Sequence, residues 1–76
     1  MKRSEIIPEL ENVLGIEAGV IQEESKIADV PQWDSMAILS FIAFVEDQFG
    51  LVLDGDQIAK ATTFKELFDL LEEHFE

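Results

Sequence analysis

The sequence predicts an all-α fold, an antiparallel four-helix bundle of three long helices and one short one, in a single domain spanning residues 1–76. Three observations carry that prediction. Apolar residues recur at helical spacing in three separate stretches, each stretch has its own start or stop signals, and no two segments alternate in a way that would pair as strands. Of the 76 residues 47% are hydrophobic, enough for a true core and too many for a disordered acidic tail. A domain of this size buries only roughly 60% of its unfolded surface, so its packing has to be efficient.

The first helix is expected from Glu5 to Leu14. Ile6, Ile7, Leu10, Val13 and Leu14 share one face, Ser4 is placed to cap the start, and Gly15 to end the helix in the left-handed conformation. Pro8 lacks a backbone donor, which is harmless only within the first turn. From Ile16 to Asp34 the periodicity lapses, leaving a long loop between the first two helices, whose Val20, Ile21, Ile27, Val30 and Trp33 read as anchors to a core. Pro31 keeps helix from spreading back through Val30.

The second helix, Ser35 to Phe49, is the strongest in the chain and is closed by Gly50. Ile38, Phe41, Ile42, Val45 and Phe49 form one continuous stripe. The opposite side carries Met36, Ser40, Ala43 and Asp47, flanked by Ala37 and Phe44, and is more apolar than a solvated face requires. Leu51-Val52-Leu53 has no second strand to pair with and is read as an extended linker. A short third helix is expected from Gly55 to Lys60, capped by Asp54 with Gln57 three residues later. The last helix begins with a capping box of Thr63 and Glu66 and buries Phe64, Leu67, Phe68, Leu71 and Phe75, while Asp69, Glu72, Glu73 and Glu76 face water.

Charge narrows the choice of partners. Five Lys and Arg against 17 Asp and Glu leave a net charge of −12. Nucleic acid is a poor partner for such a surface, because binding it requires a cationic face that displaces counterions. An anionic membrane surface is disfavoured on the same ground, and a basic protein surface is the natural complement. No apolar run approaches the ~20 residues of a membrane-spanning helix, so membrane insertion is not expected. Met1-Lys2-Arg3 is basic, but Glu5, Pro8, Glu9 and Glu11 break the apolar run that a leader would need, so the expectation is a soluble, cytoplasmic monomer.

Catalytic chemistry has little to work with, and the expectation is a protein that is not an enzyme. The chain has no cysteine and one histidine, His74, which suits the C-terminal end of a helix dipole. No nucleophile–base pair or metal cluster can be drawn. Asp54 and Asp56 resemble the start of a calcium loop, but Ala59 stands where a glycine is required and Lys65 where a bidentate glutamate is required.

The tripeptide Asp34-Ser35-Met36 stands out instead. A serine in the first helical position after a long loop presents its hydroxyl at a helix N-terminus, where free N–H groups and the positive dipole end favour a phosphate. On local sequence alone, capping of the second helix by Asp34 or Ser35 explains the same residues.

The whole chain resembles the acyl carrier protein family. The resemblance rests on length, acidic balance, element order, the D-S-L-type motif written here Asp34-Ser35-Met36, Phe49-Gly50 after the second helix and Thr62-Thr63 before the last. It implies that a phosphopantetheinyl transferase attaches phosphopantetheine from coenzyme A to Ser35 through a phosphodiester. The arm would then supply the thiol that the chain lacks and carry acyl groups as thioesters to biosynthetic enzymes. Partners implied are acyl ligases, ketosynthases and acyltransferases with basic docking patches, in fatty-acid, lipid or polyketide-type pathways. It further implies docking around Trp33, Asp34, Met36, Ala37, Ser40, Glu46 and Asp47, with Trp33 alternatively only a loop anchor, and an acyl cavity lined by Phe41, Val45, Leu53, Ile58 and Ala59, which ordinary core packing explains equally well. One departure is consequential. Fatty-acid carriers usually have acidic residues soon after the serine, where this chain has Ala37 and Ser40, and only Glu46 and Asp47 further along match. That points to a specialised stand-alone carrier. The alternative is an acidic helical adaptor that docks a partner through its second helix, with Ser35 only a cap.

Overall fold

Two glycines end the two long helices. Gly15 and Gly50 adopt φ of 68° and 66°, a conformation that costs other residues a clash at Cβ, and their N–H groups donate to the carbonyls of Glu11 and Glu46. The helices they close are α1, Arg3–Leu14, and α2, Ser35–Phe49. The computed structural model describes residues 1–76 and adds two short helices, α3 (Gly55–Ala59) and α4 (Phe64–Asp69). Single 3₁₀ turns occupy Ile27–Asp29 and Glu72–His74, and the chain contains no strand. The fold is all-helical, as the periodicity predicts.

Local chemistry explains where α1 departs from expectation. It begins two residues early, with Lys2 in the cap position and its backbone N–H donating to Glu5 Oε1 at 2.8 Å, so Ser4 lies exposed in the first turn and caps nothing. Pro8 consequently falls in the second turn and denies the Ser4 carbonyl its helical donor, at a position open to solvent. Ile6 and Leu10 are fully buried, whereas Val13 is exposed.

The long loop is pinned as predicted. Ile16, Ile21, Val30 and Trp33 are buried, and Val20 and Ile27 pack against the core. Main-chain bonds stitch it to the start of α4: Ile27 N–H donates to the Thr62 carbonyl, Phe64 N–H to Ser25 and Lys65 N–H to Glu23. The α3 capping box forms as expected, with Asp54 and Gln57 each accepting the other's backbone N–H. At α4 only half of the box forms. Thr63 Oγ1 accepts from Glu66 N–H, but the Glu66 carboxylate accepts from Thr62.

The last helix is shorter than the apolar spacing predicts, so the chain has two long helices and two short ones. After Asp69 the bonds tighten to three-residue spacing, from Leu70 to Leu67, Leu71 to Phe68 and His74 to Leu71. The segment crowds Asp69, Glu72, Glu73 and Glu76 at the helix end, where the dipole favours cations and repels carboxylates. Leu71 remains fully buried through the change.

The core holds Ile6, Leu10, Phe41, Val45, Phe64, Leu67, Phe68 and Leu71 with no exposed surface, and Trp33 stands edge-on to Phe41 and Phe64 at 5.5 and 5.3 Å. Burial on α2 is wider than one stripe. Ala37 and Phe44, expected on the outer flank, are buried, while Ile38, Ile42 and Phe49 are only half-buried. Phe49 instead meets Phe75 edge-on at 5.6 Å. One cation ties the chain's distant parts together. Arg3 bonds to Glu23 at 2.8 Å, Asp69 at 2.9 Å and Glu72, and lies 5.8 Å from the Phe75 ring. The Glu23 bond, against a desolvation cost, strengthens the guanidinium's hold on its proton, and bonds from Lys65 and Arg3 hold Asp69 below its ordinary range. Glu11 is the one buried charged residue, and it accepts from Gly19 N–H at 2.8 Å, which fixes the start of the loop to α1.

Candidate functional site

Ser35 is the first residue of α2 and is exposed. The capping role on which the local alternative rests belongs to its neighbour: Asp34 Oδ1 accepts the Ala37 N–H at 2.9 Å. The Ser35 hydroxyl makes no hydrogen bond within the protein, and the backbone N–H groups of Ser35 and Met36 have no main-chain partner. A hydroxyl and two free donors therefore converge on the positive end of a 15-residue helix. Those residues fit a covalently attached phosphodiester, which needs an accessible oxygen and donors for the phosphoryl oxygens.

An open cleft of about 410 Å³, with Ser35 not in its lining, is formed chiefly by Ile27, Val30, Trp33, Ile38, Ile58 and Ala61. Trp33 and Ile38 enter it from two residues before and one turn after the serine. Ile58 and Ala59 line this cleft, and Phe41, Val45 and Leu53 do not. Phe41 and Val45 have no exposed surface, and Leu53 is nearly as enclosed, so all three belong to the closed core. Sequence reasoning missed Ile27, Val30, Ile38 and Ala61. Ile38 carried a signal, its place one helical turn after Ser35; the loop residues did not, because nothing in the sequence says how a loop folds back.

The residues expected to dock partners divide in the same way. Ala37 is buried, and Trp33, 9% exposed, packs on Phe41 and Phe64 as a loop anchor, so neither offers an exposed face. Met36 (73% exposed), Glu46 and Asp47 are open to solvent and Ser40 is partly so. Leu39, not singled out from the sequence, is 63% exposed and extends the apolar surface beside Met36. A shallower groove of about 370 Å³ runs between α1 and α2, where Val13, Ser40, Ala43 and Phe44 lie between Glu9 and Asp47.

Fold and site together define a class: a small acidic helical domain that displays an unengaged serine hydroxyl at a helix N-terminus and holds a cleft lined without charged side chains. Over nearly its whole length the chain is similar to an acyl carrier protein of Rubrobacter xylanophilus, with 26% identity covering 97% of this chain and 96% of that protein. The resemblance to the acyl carrier protein family holds, and that relative's name describes a carrier rather than a catalyst. No family model matches the sequence, and no solved structure matches it.

Proposed function

We propose that this protein is an acyl carrier that works with phosphopantetheine on Ser35. The observation that carries the reading is the division of labour at the start of α2, where Asp34 takes the cap and leaves the Ser35 hydroxyl free. The adaptor reading makes Ser35 a cap, and that place is filled. In the attachment step the Ser35 oxygen forms a bond to the phosphorus that bears the pantetheine arm of coenzyme A. The pyrophosphate bond breaks, the adenosine bisphosphate half leaves, and the transferase takes the serine proton. Once attached, the arm supplies a thiol on which acyl groups ride as thioesters. The chain's own contribution is to present the oxygen, to donate Ser35 and Met36 N–H to the phosphodiester, and to offer a surface for partners.

Its helices pack in this reading as an antiparallel bundle, and the protein is a cytoplasmic monomer serving acyl ligases, ketosynthases or acyltransferases. Met36, Leu39 and Ser40 occupy the first turns of α2 without a carboxylate, and Glu46 and Asp47 stand near its end. Enzymes that rely on early acidic contacts lose those pairs, each worth about 0.2–1 kcal/mol when exposed. Two or three such losses approach a decade in affinity, which favours a carrier with dedicated partners over a general fatty-acid carrier.

Intact-mass analysis after incubation with coenzyme A and a broad-specificity phosphopantetheinyl transferase tests the reading. A single phosphopantetheine mass gain, absent in Ser35→Ala, is expected. An unmodified wild-type chain refutes it.

A further inference from the structure

We infer that residues 72–76 form a strap that opens while the rest of the fold stays closed, and that Arg3 is the latch that holds it shut. The inference goes beyond the carrier reading and does not depend on it. Arg3 makes every hydrogen bond between two side chains more than four positions apart in the chain. From the first position of α1 its guanidinium joins Glu23 in the long loop, Asp69 at the end of α4 and Glu72 in the strap, and it lies 5.8 Å from the Phe75 ring. The planar fork of an arginine suits several carboxylates at once, which a lysine ammonium does not reproduce.

Little else fastens the strap. None of its side chains is buried, Phe75 being half-covered, whereas Leu71 just before it has no exposed surface and anchors the hinge. Its main-chain bonds are sparse: His74 N–H donates to Leu71 at 2.8 Å, Phe75 N–H to Glu72, and Glu76 N–H to the Met1 carbonyl at 3.0 Å. Asp69, Glu72, Glu73 and Glu76 crowd the negative end of α4, and Glu72 pairs with no cation but Arg3. A segment with so few buried contacts belongs to the low end of local stability, and one guanidinium decides how often it lifts. Lifting uncovers the Phe49 ring, which His74 and Phe75 face at 6.4 and 5.6 Å. Phe49 ends α2 and Ser35 begins it, about 21 Å away at about 1.5 Å per residue. The strap therefore changes the surface at one end of the molecule and leaves the surroundings of the serine as they are.

Amide hydrogen exchange on the full chain, read residue by residue by nuclear magnetic resonance, tests this. An amide exchanges through the opening that exposes it, so its rate reports the population of that opening. His74 and Glu76 N–H report the strap, and Val45 N–H, inside α2 at a side chain with no exposed surface, reports the body. In Arg3→Gln the three pairs are lost, and the strap amides are expected to exchange about tenfold faster, with Val45 changing far less. Cross-peaks between the Phe49 and Phe75 rings are expected to fade in the same variant. Arg3→Lys, which keeps the charge without the fork, is expected to fall between Arg3→Gln and wild type. Glu23→Gln removes the loop pair alone and is expected to leave the strap amides within about twofold of wild type. Equal acceleration of His74, Glu76 and Val45 in Arg3→Gln, or an Arg3→Gln chain that does not fold, overturns the independence of the strap. Strap amides that exchange at wild-type rates in Arg3→Gln overturn the role of Arg3 as its latch.

Discussion

Phe64→Ala removes a ring with no exposed surface from the place where α4, the long loop and the core meet. The ring stands edge-on to Trp33 at 5.3 Å and lies 6.1 Å from Phe68, so two aromatic neighbours lose a partner together. Truncation of a buried phenylalanine costs about 3–5 kcal/mol, the transfer free energy plus the unfilled cavity. Trp33 and Phe68 are held by other contacts and collapse poorly into the space, which places the expectation in the upper half of that range. In a domain of this size about 1 kcal/mol moves the midpoint by about 4–8 °C, so a fall of at least about 16 °C is expected. Such a loss is comparable with the whole stability of a small domain, about 5 kcal/mol at the low end. Thermal unfolding followed by far-ultraviolet circular dichroism and by Trp33 emission measures it, and the two signals should coincide in a two-state transition. Val52→Ala, at a side chain 70% exposed, is the control and should stay within about 0.5 kcal/mol of wild type. A midpoint change for Phe64→Ala under about 4 °C refutes the packing argument, because it corresponds to less than 1 kcal/mol.

Three further outcomes are expected. Asp34→Ala should lose about 1 kcal/mol in urea unfolding, because it removes the cap, while Ser35→Ala should stay within about 0.5 kcal/mol; the reverse order would return the cap to Ser35. Raising ionic strength from low to physiological should raise the thermal midpoint, since screening relieves the repulsion of a net −12 charge more than it weakens the Arg3 pairs, and a flat or falling midpoint contradicts this. Asp69 titrates below its ordinary 3.8, so its pairing stabilises the fold above that value and the contribution is lost as pH falls through the lowered one. Asp69→Asn should therefore be less stable than wild type at neutral pH and converge on it in acid, and parallel stability curves between roughly pH 2 and 5 would contradict the pairing.

Much of this architecture was legible because its determinants are local. Gly15, Gly50 and the Asp54–Gln57 box act within a few residues of themselves, and helix boundaries read from them agree with the structure at those ends. The failures have a common cause, since each depends on what a side chain meets far along the chain. The spacing from Phe64 to Phe75 continues as if α4 did, but the carboxylates after Asp69 and the pull of Arg3 on Asp69 and Glu72 end it early. A helical period assigns α2 one buried stripe, and cannot know that α2 also buries Ala37 and Phe44. The place of Ser35 as the first residue of α2 was legible in the sequence. Of the residues lining the cleft, Ile27, Ala28, Val30, Pro31 and Trp33 come from a loop with no periodicity to guide the reading, whereas Ile38 lies on α2 and Gly55, Ile58 and Ala59 on α3.

The attachment of the long loop to α4 has a consequence for how freely that loop can change. Ile27, Phe64 and Lys65 donate from the main chain to carbonyls of Thr62, Ser25 and Glu23, so the tether does not depend on which side chains those positions carry. Gln22, Glu24 and Lys26 are exposed beside it. Substitutions there leave the tether and the anchors Ile21, Val30 and Trp33 untouched, and surface changes of this kind alter stability by no more than about 0.5 kcal/mol. The loop thus separates the residues that hold its shape from those free to vary, and selection for a new partner can rewrite the outer set without eroding the fold that positions Ser35.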